Sequence, residues 1–478
     1  MKRVMKCSFI KIVIMIWAVY VCCSCDSLFE NELPKHDLTA ENAIVDEASS
    51  ETALLGVYSF LGERVFDSYY MADNAVRSGL VTWTTGSYAE SLTLLRPAAD
   101  GLEVRDKWSY AYQMINAANN VIYYVGNLSE GKFRGNRKKE IIAEARFMRA
   151  FGHMFLMKYF AYFWDVNSPY GVLIRTQPAS LIVNAQARMN MRDSYNQILE
   201  DLDYTIENGP DYATCFQASK GAAMAFKANL LMIRGEGADY ANAAILAQEV
   251  IDHGGFRLEE TFADVFAKDY SSKEVIFSRF LSSTVYKQAD NKSESVKRIF
   301  GGTIGYTAYI YMGSGLNKDE RFSQTLQNML YEAVSKDRLQ WVWTKVWRES
   351  GNCPVFYMRL AQMYLIKAEG LARSGASVKE VIEELNILRR RSGNTELTEA
   401  DCDTEDKLMT AIYKEILCEI CCENDSEWFT VIRFKSTKSG GRKLADFNIN
   451  YQDDAMLVFP IPIGELQNNP NMEDNPKI

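Results

Sequence analysis

The stretch EIIAEARFMRAFGHMFLMKYFAY, Glu140 to Tyr162, decides the fold class. Ala145, Met148, Phe151, Phe155 and Tyr159 recur at intervals of three and four residues, the spacing of one helix face. The other faces are also apolar, so this helix is expected to be wrapped by its neighbours rather than laid on a surface. Outward from it the same spacing returns. Trp108 to Val125 carries Trp108, Tyr112, Ile115, Ala118 and Ile122 in register, and Tyr195 to Ile206 carries Ile198 and Leu202 before stopping at Asn208-Gly209-Pro210. Helical patterns also run from Ala40 to about Leu61 and from Lys407 to Glu423.

Two segments read as copies of one unit. Gly221 to Gly254 gives helix, a Gly235-Glu236-Gly237 break and a second helix. Arg359 to Gly393 gives helix, a Ser374-Gly375 break and a second helix. Each is close to the tetratricopeptide period of about 34 residues. Ala225 and Ala228 in one copy, and Ala361, Ala368 and Ala372 in the other, are small enough to let helices cross closely. The fold is therefore expected to be mostly α. Residues 63–105, 163–190, 256–350 and 435–478 lack sustained helical periodicity and read as insertions, several rich in Tyr, Trp, Ser and Gly.

The chain has 478 residues, with 47% hydrophobic and 24% charged, which suits a globular protein with a large core. Its net charge of −9 repels phosphate backbones and argues against nucleic-acid binding. Lys132, Arg134, Arg137, Lys138 and Lys139 form a basic run that reads as a solvated face before a helix.

At the N-terminus, Lys2, Arg3, Lys6 and Lys11 precede a short apolar run, Ile12 to Cys23. Such a run is shorter than the roughly 20 residues of a spanning helix and suits an export signal. The end of the run, Cys22-Cys23-Ser24-Cys25, resembles a bacterial lipobox, although Cys22 stands where Leu is preferred. Residues 1–24 then form the signal peptide, Cys25 is the lipidated first mature residue, 25–37 is a tether, and 38–478 is the folded domain. Several acyl chains on one residue anchor stably. A plain signal peptide cut elsewhere is the alternative. Cys418, Cys421 and Cys422 fall on one face if the last long helix continues through them; they read as small core residues, with metal binding as the alternative.

Catalytic chemistry is not apparent. The histidines are His36, His153 and His253, without a His-Glu-x-x-His pair, and neither a P-loop, a dinucleotide fingerprint nor a Gly-x-Ser-x-Gly elbow occurs. The expectation is no enzyme, no cofactor and no metal.

Seven stretches in order resemble the SusD-like (SusD/RagB) family. They are Leu38–Asn42 with Glu51–Leu61; Tyr112–Ile122 with Asn116, Asn119 and Asn120; Glu144–Phe151; Ser219–Ala223; Arg359–Leu365; Glu419 and Glu423 with Trp428-Phe429 and Arg433; and Phe459–Pro462 with Glu465, Asn469-Pro470 and Asn475-Pro476. Departures are local: Asn424 stands where the family usually has Gly, Glu427 where it has Arg, and no Pro accompanies Tyr170-Gly171-Val172. The resemblance implies one domain of four tetratricopeptide-like helix pairs against a variable, loop-rich half. It implies a lipid-anchored protein on the outer-membrane surface that binds glycans without catalysis and passes them to a TonB-dependent SusC-like transporter. A peptide-binding role in the same family, a secreted helical glycoside hydrolase and a helical scaffold for protein partners are the alternatives.

Sugars offer C–H faces to flat rings and hydroxyl edges to Asp, Asn or Arg. The family's ligand site lies largely on the variable half, where Asp73, Asn74, Arg77, Trp83 and Tyr88 fall in one insertion and Tyr286, Tyr306, Tyr309 and Tyr311 in another. Trp341 and Trp343 alternate as on a strand face. On this reading Trp83→Ala weakens ligand binding and leaves the thermal unfolding midpoint nearly unchanged; affinity electrophoresis beside a melting curve checks it, and an unaltered affinity removes Trp83 from the site.

Overall fold

A computed structural model describes residues 43–80, 86–180, 185–279, 319–330, 339–343, 345, 355–436, 438 and 440–476. Two compact units are present, ending and beginning at Val45 and Asp46; every element named below belongs to the second. The helices are α1 (Glu47–Ser59), α2 (Ser68–Arg77), α3 (Ser87–Thr93), α4 (Leu102–Asn127), α5 (Arg137–Phe160), α6 (Met191–Asn208), α7 (Lys220–Arg234) and α8 (Asp239–His253). They continue with α9 (Phe262–Lys268), α10 (Glu320–Thr325), α11 (Leu360–Arg373), α12 (Val378–Arg391), α13 (Glu405–Ile420), α14 (Ser426–Arg433) and α15 (Ile463–Asn468). Four short strands, β1 (Val275–Ser278), β2 (Leu326–Leu330), β3 (Leu339–Trp343) and β4 (Phe356–Arg359), pair antiparallel as β1 with β4 and β2 with β3. The described residues are thus mostly α, as the periodicity predicts.

The helices stack in series: α4 on α5, α5 on α6, α6 on α7, α7 on α8, then α8 on α11 and α11 on α12 and α13. The two repeat-like segments therefore abut directly, although a long stretch of chain separates them. Their contact is close because Gly370 of α11 meets α8: a Cβ there would lie 2.5 Å from the Tyr240 carbonyl oxygen. Of the small residues expected at crossings, Ala225, Ala228, Ala361 and Ala368 are buried, while Ala372 is half-buried beside a groove.

From Ala143 to Phe160 every side chain of α5 except Arg146 and Met154 is buried. Phe151 and Phe155 pack against Phe66, Tyr70 and, for Phe151, Tyr357 and Phe277. The polar residues of α5 reach its neighbours. Glu144 accepts the Tyr58 hydroxyl of α1 at 2.8 Å. Arg149 holds Asp201 of α6 through two bonds of 2.8 and 2.6 Å and donates to Asn119 of α4 at 2.9 Å. The basic run is not a bare solvated face. Arg134 binds Glu47, Arg137 binds Glu51 and Glu144, and Lys138 binds Glu130, so the run clamps α1 to the start of α5.

Three further expectations are corrected. Residues 63–105 contain α2, α3 and the start of α4; α2 is covered on all sides from Tyr70 to Arg77, including its polar residues, so it carries no amphipathic signal. The last long helix ends at Ile420 rather than Glu423, which removes Cys421 and Cys422 from the face of Cys418. The first helix begins at Glu47, where Asp46 and Ser49 form a reciprocal cap.

Arg359 closes the stack. It ends β4 and precedes α11, and its partner across the β1–β4 pair is Val275. That pairing brings Glu274 to 2.6 Å, while α13 and its following turn supply Glu419 at 2.7 Å and Glu423 at 2.6 Å. Arg391 of α12 binds Glu274 and Glu419; Arg321 of α10 binds Asp319, Glu415 and Glu419; Lys345 binds Glu423. Every member of this cluster is buried or nearly so. Burial alone would raise the Glu419 pKa, but Arg391, Arg359 and Arg321 outweigh it and hold the carboxyl well below the usual range; Arg359 and Lys345 do the same for Glu423.

Removing one member leaves buried charge uncompensated. Glu419→Gln is expected to cost about 3–5 kcal/mol of unfolding free energy, read from urea denaturation. The depressed carboxylates set the pH dependence. Their contribution is complete above the unfolded value of about 4.5 and is lost as pH falls toward the folded values, so stability should drop steeply in acid, and less steeply in the Glu419→Gln variant.

Candidate functional site

Beyond Phe160 the chain leaves α5 in an extended run. Ala161 and Phe163 point inward and are buried; Tyr162 and Trp164 alternate with them and remain partly exposed. The run is pinned at several points. Tyr195 of α6 donates its hydroxyl to the Phe163 carbonyl at 2.6 Å, and Phe163 packs edge-on against Phe429 of α14 at 5.1 Å. The Asp165 side chain accepts from Asn167 N–H at 3.0 Å, turning the chain, and Tyr162 N–H donates to the Tyr170 carbonyl at 2.9 Å. The turn brings Tyr170 back beside Tyr162.

Three rings result in one patch. Tyr162 and Trp164 have centroids 4.7 Å apart with planes 33° from parallel, and Tyr162 and Tyr170 are 5.2 Å apart at 42°. Polar groups rim them. The Arg442 guanidinium lies over Trp164 at 5.5 Å and is held by Asp454 at 2.7 and 2.9 Å, while Tyr451 donates to Asp454 at 2.7 Å. Arg188 lies over Tyr170 at 5.5 Å and donates to Asn475 Oδ1 at 2.8 Å. Burial, then Tyr170 and Asp453, pushes the Tyr162 phenol up to about 12, so it stays a hydroxyl donor at neutral pH. Burial pushes Arg188 down to about 10, which still leaves it charged. Asp453 is exposed at the edge. Rings with partly open faces, ringed by fixed donors and carboxylates, suit a ligand with C–H faces and hydroxyl edges.

A concavity of about 640 Å³ lies elsewhere, between the end of α11, the first half of α13 and residues 433–443. Tyr413 and Phe434 in its wall are buried, and Arg373 and Arg433 are both committed to Glu369. It lacks the half-open rings of the Tyr162 patch.

The residues expected from sequence lie differently. Asp73, Asn74 and Arg77 are fully buried within α2, so the expectation that they face a ligand is corrected. Asp73 pairs with Lys107 of α4 and accepts the Tyr88 hydroxyl at 2.5 Å. Arg77 donates to Asn74 at 2.8 Å and to the Leu457 carbonyl at 2.5 Å, and lies between the rings of Trp428 and Phe459 at 4.1 and 4.8 Å. Burial pushes Arg77 down to about 10. These are the fastenings of α2, and Tyr88, half-buried, turns its hydroxyl inward to the same group. Trp83, Tyr286, Tyr306, Tyr309, Tyr311 and Cys25 lie outside the described residues. Trp341 and Trp343 lie two apart on β3, opposite Asn328 and Leu326. The sequence reading passed over Tyr162, Trp164 and Tyr170 as ligand candidates. Their alternation just after an apolar helix was the available signal; Arg442, Tyr451 and Asp454 come from a distant segment and gave none.

Comparison with known proteins places two family models on the chain. The one described as "SusD family" matches residues 266–477, and the one described as "Starch-binding associating with outer membrane" matches residues 42–232. The SusD-like protein P2 of Formosa agariphila is 26% identical over 425 residues, 77% of this chain and 79% of that protein. A SusD-like protein of Bacteroides ovatus is 21% identical over 267 residues, 54% of this chain and 46% of that protein. Among solved structures, a SusD superfamily protein from Bacteroides thetaiotaomicron superposes with a TM-score of 0.74 at 18% identity, covering 91% of this chain and 100% of that one. A laminarin-binding SusD-like protein superposes with a TM-score of 0.71 at 18% identity, again covering 91% and 100%.

Removing the inward group beneath this region should act on folding alone. Lys107→Met strands the buried Asp73 carboxylate and is expected to cost about 3–5 kcal/mol in urea denaturation while leaving ligand affinity, measured on the folded fraction, unchanged.

Proposed function

As this chain belongs to the SusD-like family, we propose that it binds glycans at the outer-membrane surface and passes them to a TonB-dependent SusC-like transporter. The observation that carries the glycan reading is the patch of Tyr162, Trp164 and Tyr170 beneath Arg442 and Asp454. A sugar ring laid on Trp164 covers its apolar face, while Asp453, Arg442 and the Tyr hydroxyls meet its edges. The Arg442–Asp454–Tyr451 chain fixes these groups in advance, so little side-chain entropy is lost on binding. Support also comes from the printed specificity of one structural neighbour, which binds laminarin.

The protein works without turnover on this reading. It is tethered through Cys25, with residues 25–37 as the link and 1–24 removed on export. Among the described residues no helix is long and apolar enough to cross a membrane, so a lipid on Cys25 would supply the attachment. Trp83, Tyr286, Tyr306 and Tyr309 are proposed as further contacts of the same ligand.

The test is retardation of the purified protein in native gels containing a panel of polysaccharides, followed by titration with oligosaccharides of the one that binds. Trp164→Ala is expected to lose the burial of a large ring, roughly 1.5–3 kcal/mol or about ten- to a hundredfold in Kd, with the helical circular dichroism retained. Unchanged affinity moves the site away from this patch. Binding to peptides alone assigns the other known kind of role in this family, and release of product sugars defeats the non-enzymatic reading.

A further inference from the structure

α13 stops at Ile420, and Ile420-Cys421-Cys422-Glu423 form a β-turn in which Glu423 N–H donates to the Ile420 carbonyl at 3.3 Å. Cys421 has φ −58° and ψ 138°, and Cys422 has φ +62°. These angles follow a type II turn, whose third position ordinarily takes Gly or Asn because a Cβ is strained there. Backbone geometry therefore does not account for a cysteine at 422. Side-chain geometry does: the Cys421 and Cys422 sulfurs are 3.8 Å apart, in contact and buried together.

The two thiols are chemically unequal. The Cys422 thiol donates to the Cys421 sulfur and holds the Cys421 pKa below the usual thiol range, with the Lys345 charge helping; burial pushes Cys422 far above it. Lys345 Nζ also lies 3.0 Å from the Cys421 carbonyl oxygen, which keeps that charge at the turn. A thiolate-prone sulfur touching a protonated one is the arrangement of an attacking and a resolving cysteine.

We propose that Cys421 and Cys422 form a vicinal dithiol that a small hydroperoxide oxidises to a disulfide within the turn. The Cys421 thiolate attacks one peroxide oxygen, the O–O bond breaks, and the departing hydroxide takes a proton from solvent, leaving a sulfenic acid. The Cys422 sulfur then attacks the Cys421 sulfur, the S–O bond breaks, and the leaving hydroxyl takes the Cys422 proton. Two thiols and hydrogen peroxide become one disulfide and two waters. Closure brings the sulfurs from 3.8 Å to the bonded distance of about 2.05 Å, a movement within reach of two χ1 rotations. Glu423, which ends the turn, holds Arg359 and Lys345, so the ring stiffens the segment that seats this carboxylate. The proposal does not depend on the identity of the ligand.

The experiment is peptide mapping by mass spectrometry of the purified protein after graded hydrogen peroxide, with alkylation of remaining thiols. The expected result is loss of two hydrogens from the peptide bearing Cys421 and Cys422, protection of both from alkylation, and full reversal by a dithiol reductant. Cys422→Gly suits the positive φ and should fold; in it the hydrogen loss disappears and Cys421 accumulates oxygen or stays alkylatable. Alkylation of both cysteines after peroxide overturns the proposal, as does oxygen gain at both in the parent protein, or a bond from either to Cys215, Cys353, Cys402 or Cys418.

Discussion

The guanidinium of Arg359 is the point on which the helical stack closes. It sits at the end of a strand and the start of α11, and its partners come from β1, α13 and the turn beyond α13. Taking these charges out of water costs several kcal/mol per ion, and the cost is offset only when each has partners in good geometry. The carboxylates of Glu274, Glu419 and Glu423 are shared among Arg359, Arg391, Arg321 and Lys345, so no one of them is satisfied until all the contributing elements have docked. An apolar core tolerates sliding by a fraction of a turn; this cluster does not. It sets the register of α10, α12 and α13 against the β1–β4 pair.

Similar logic recurs at two other places. Arg149, Asp201 and Asn119 fasten α5 to α6 and α4. Lys107 and Asp73, with Arg77 between Trp428 and Phe459, fasten α2 to α4, α14 and the C-terminal segment. In each case the charged residues lie inside, on helices whose outer faces are apolar or covered. Polar residues in a stretch without helical periodicity resemble ligand contacts when only their order is known. Asp73, Asn74 and Arg77 gave that impression because their counterparts, Lys107, Leu457 and Trp428, stand far away along the chain.

The candidate ligand surface depends on this rigidity. Tyr162 and Trp164 are held open because Phe163 between them is locked by Tyr195 and Phe429, and the rim groups are locked by one another. Rings and hydrogen-bonding groups that are already placed bind with less loss of entropy than groups that must be gathered. A loop on a fixed helical frame supplies that placement, while allowing its outward residues to vary.

The sequence by itself determined the helical class, the main helices and the repeat-like pairs. Those follow from local spacing of apolar residues, and the spacing is strong wherever a helix has one buried face, as in α4 and α6. It also displayed the motifs of Glu144–Phe151, Arg359 and Glu419 with Glu423, without saying what they touch. Only the tertiary structure decided that α2 and α3 are helices, because short helices covered on all sides have no amphipathic period. It likewise ended α13 at Ile420, where Cys422 adopts a left-handed conformation that residue type does not announce. It decided which charges lie inside and which aromatic rings remain open, since burial and pairing are properties of segments that meet in space and not of their neighbours in the chain.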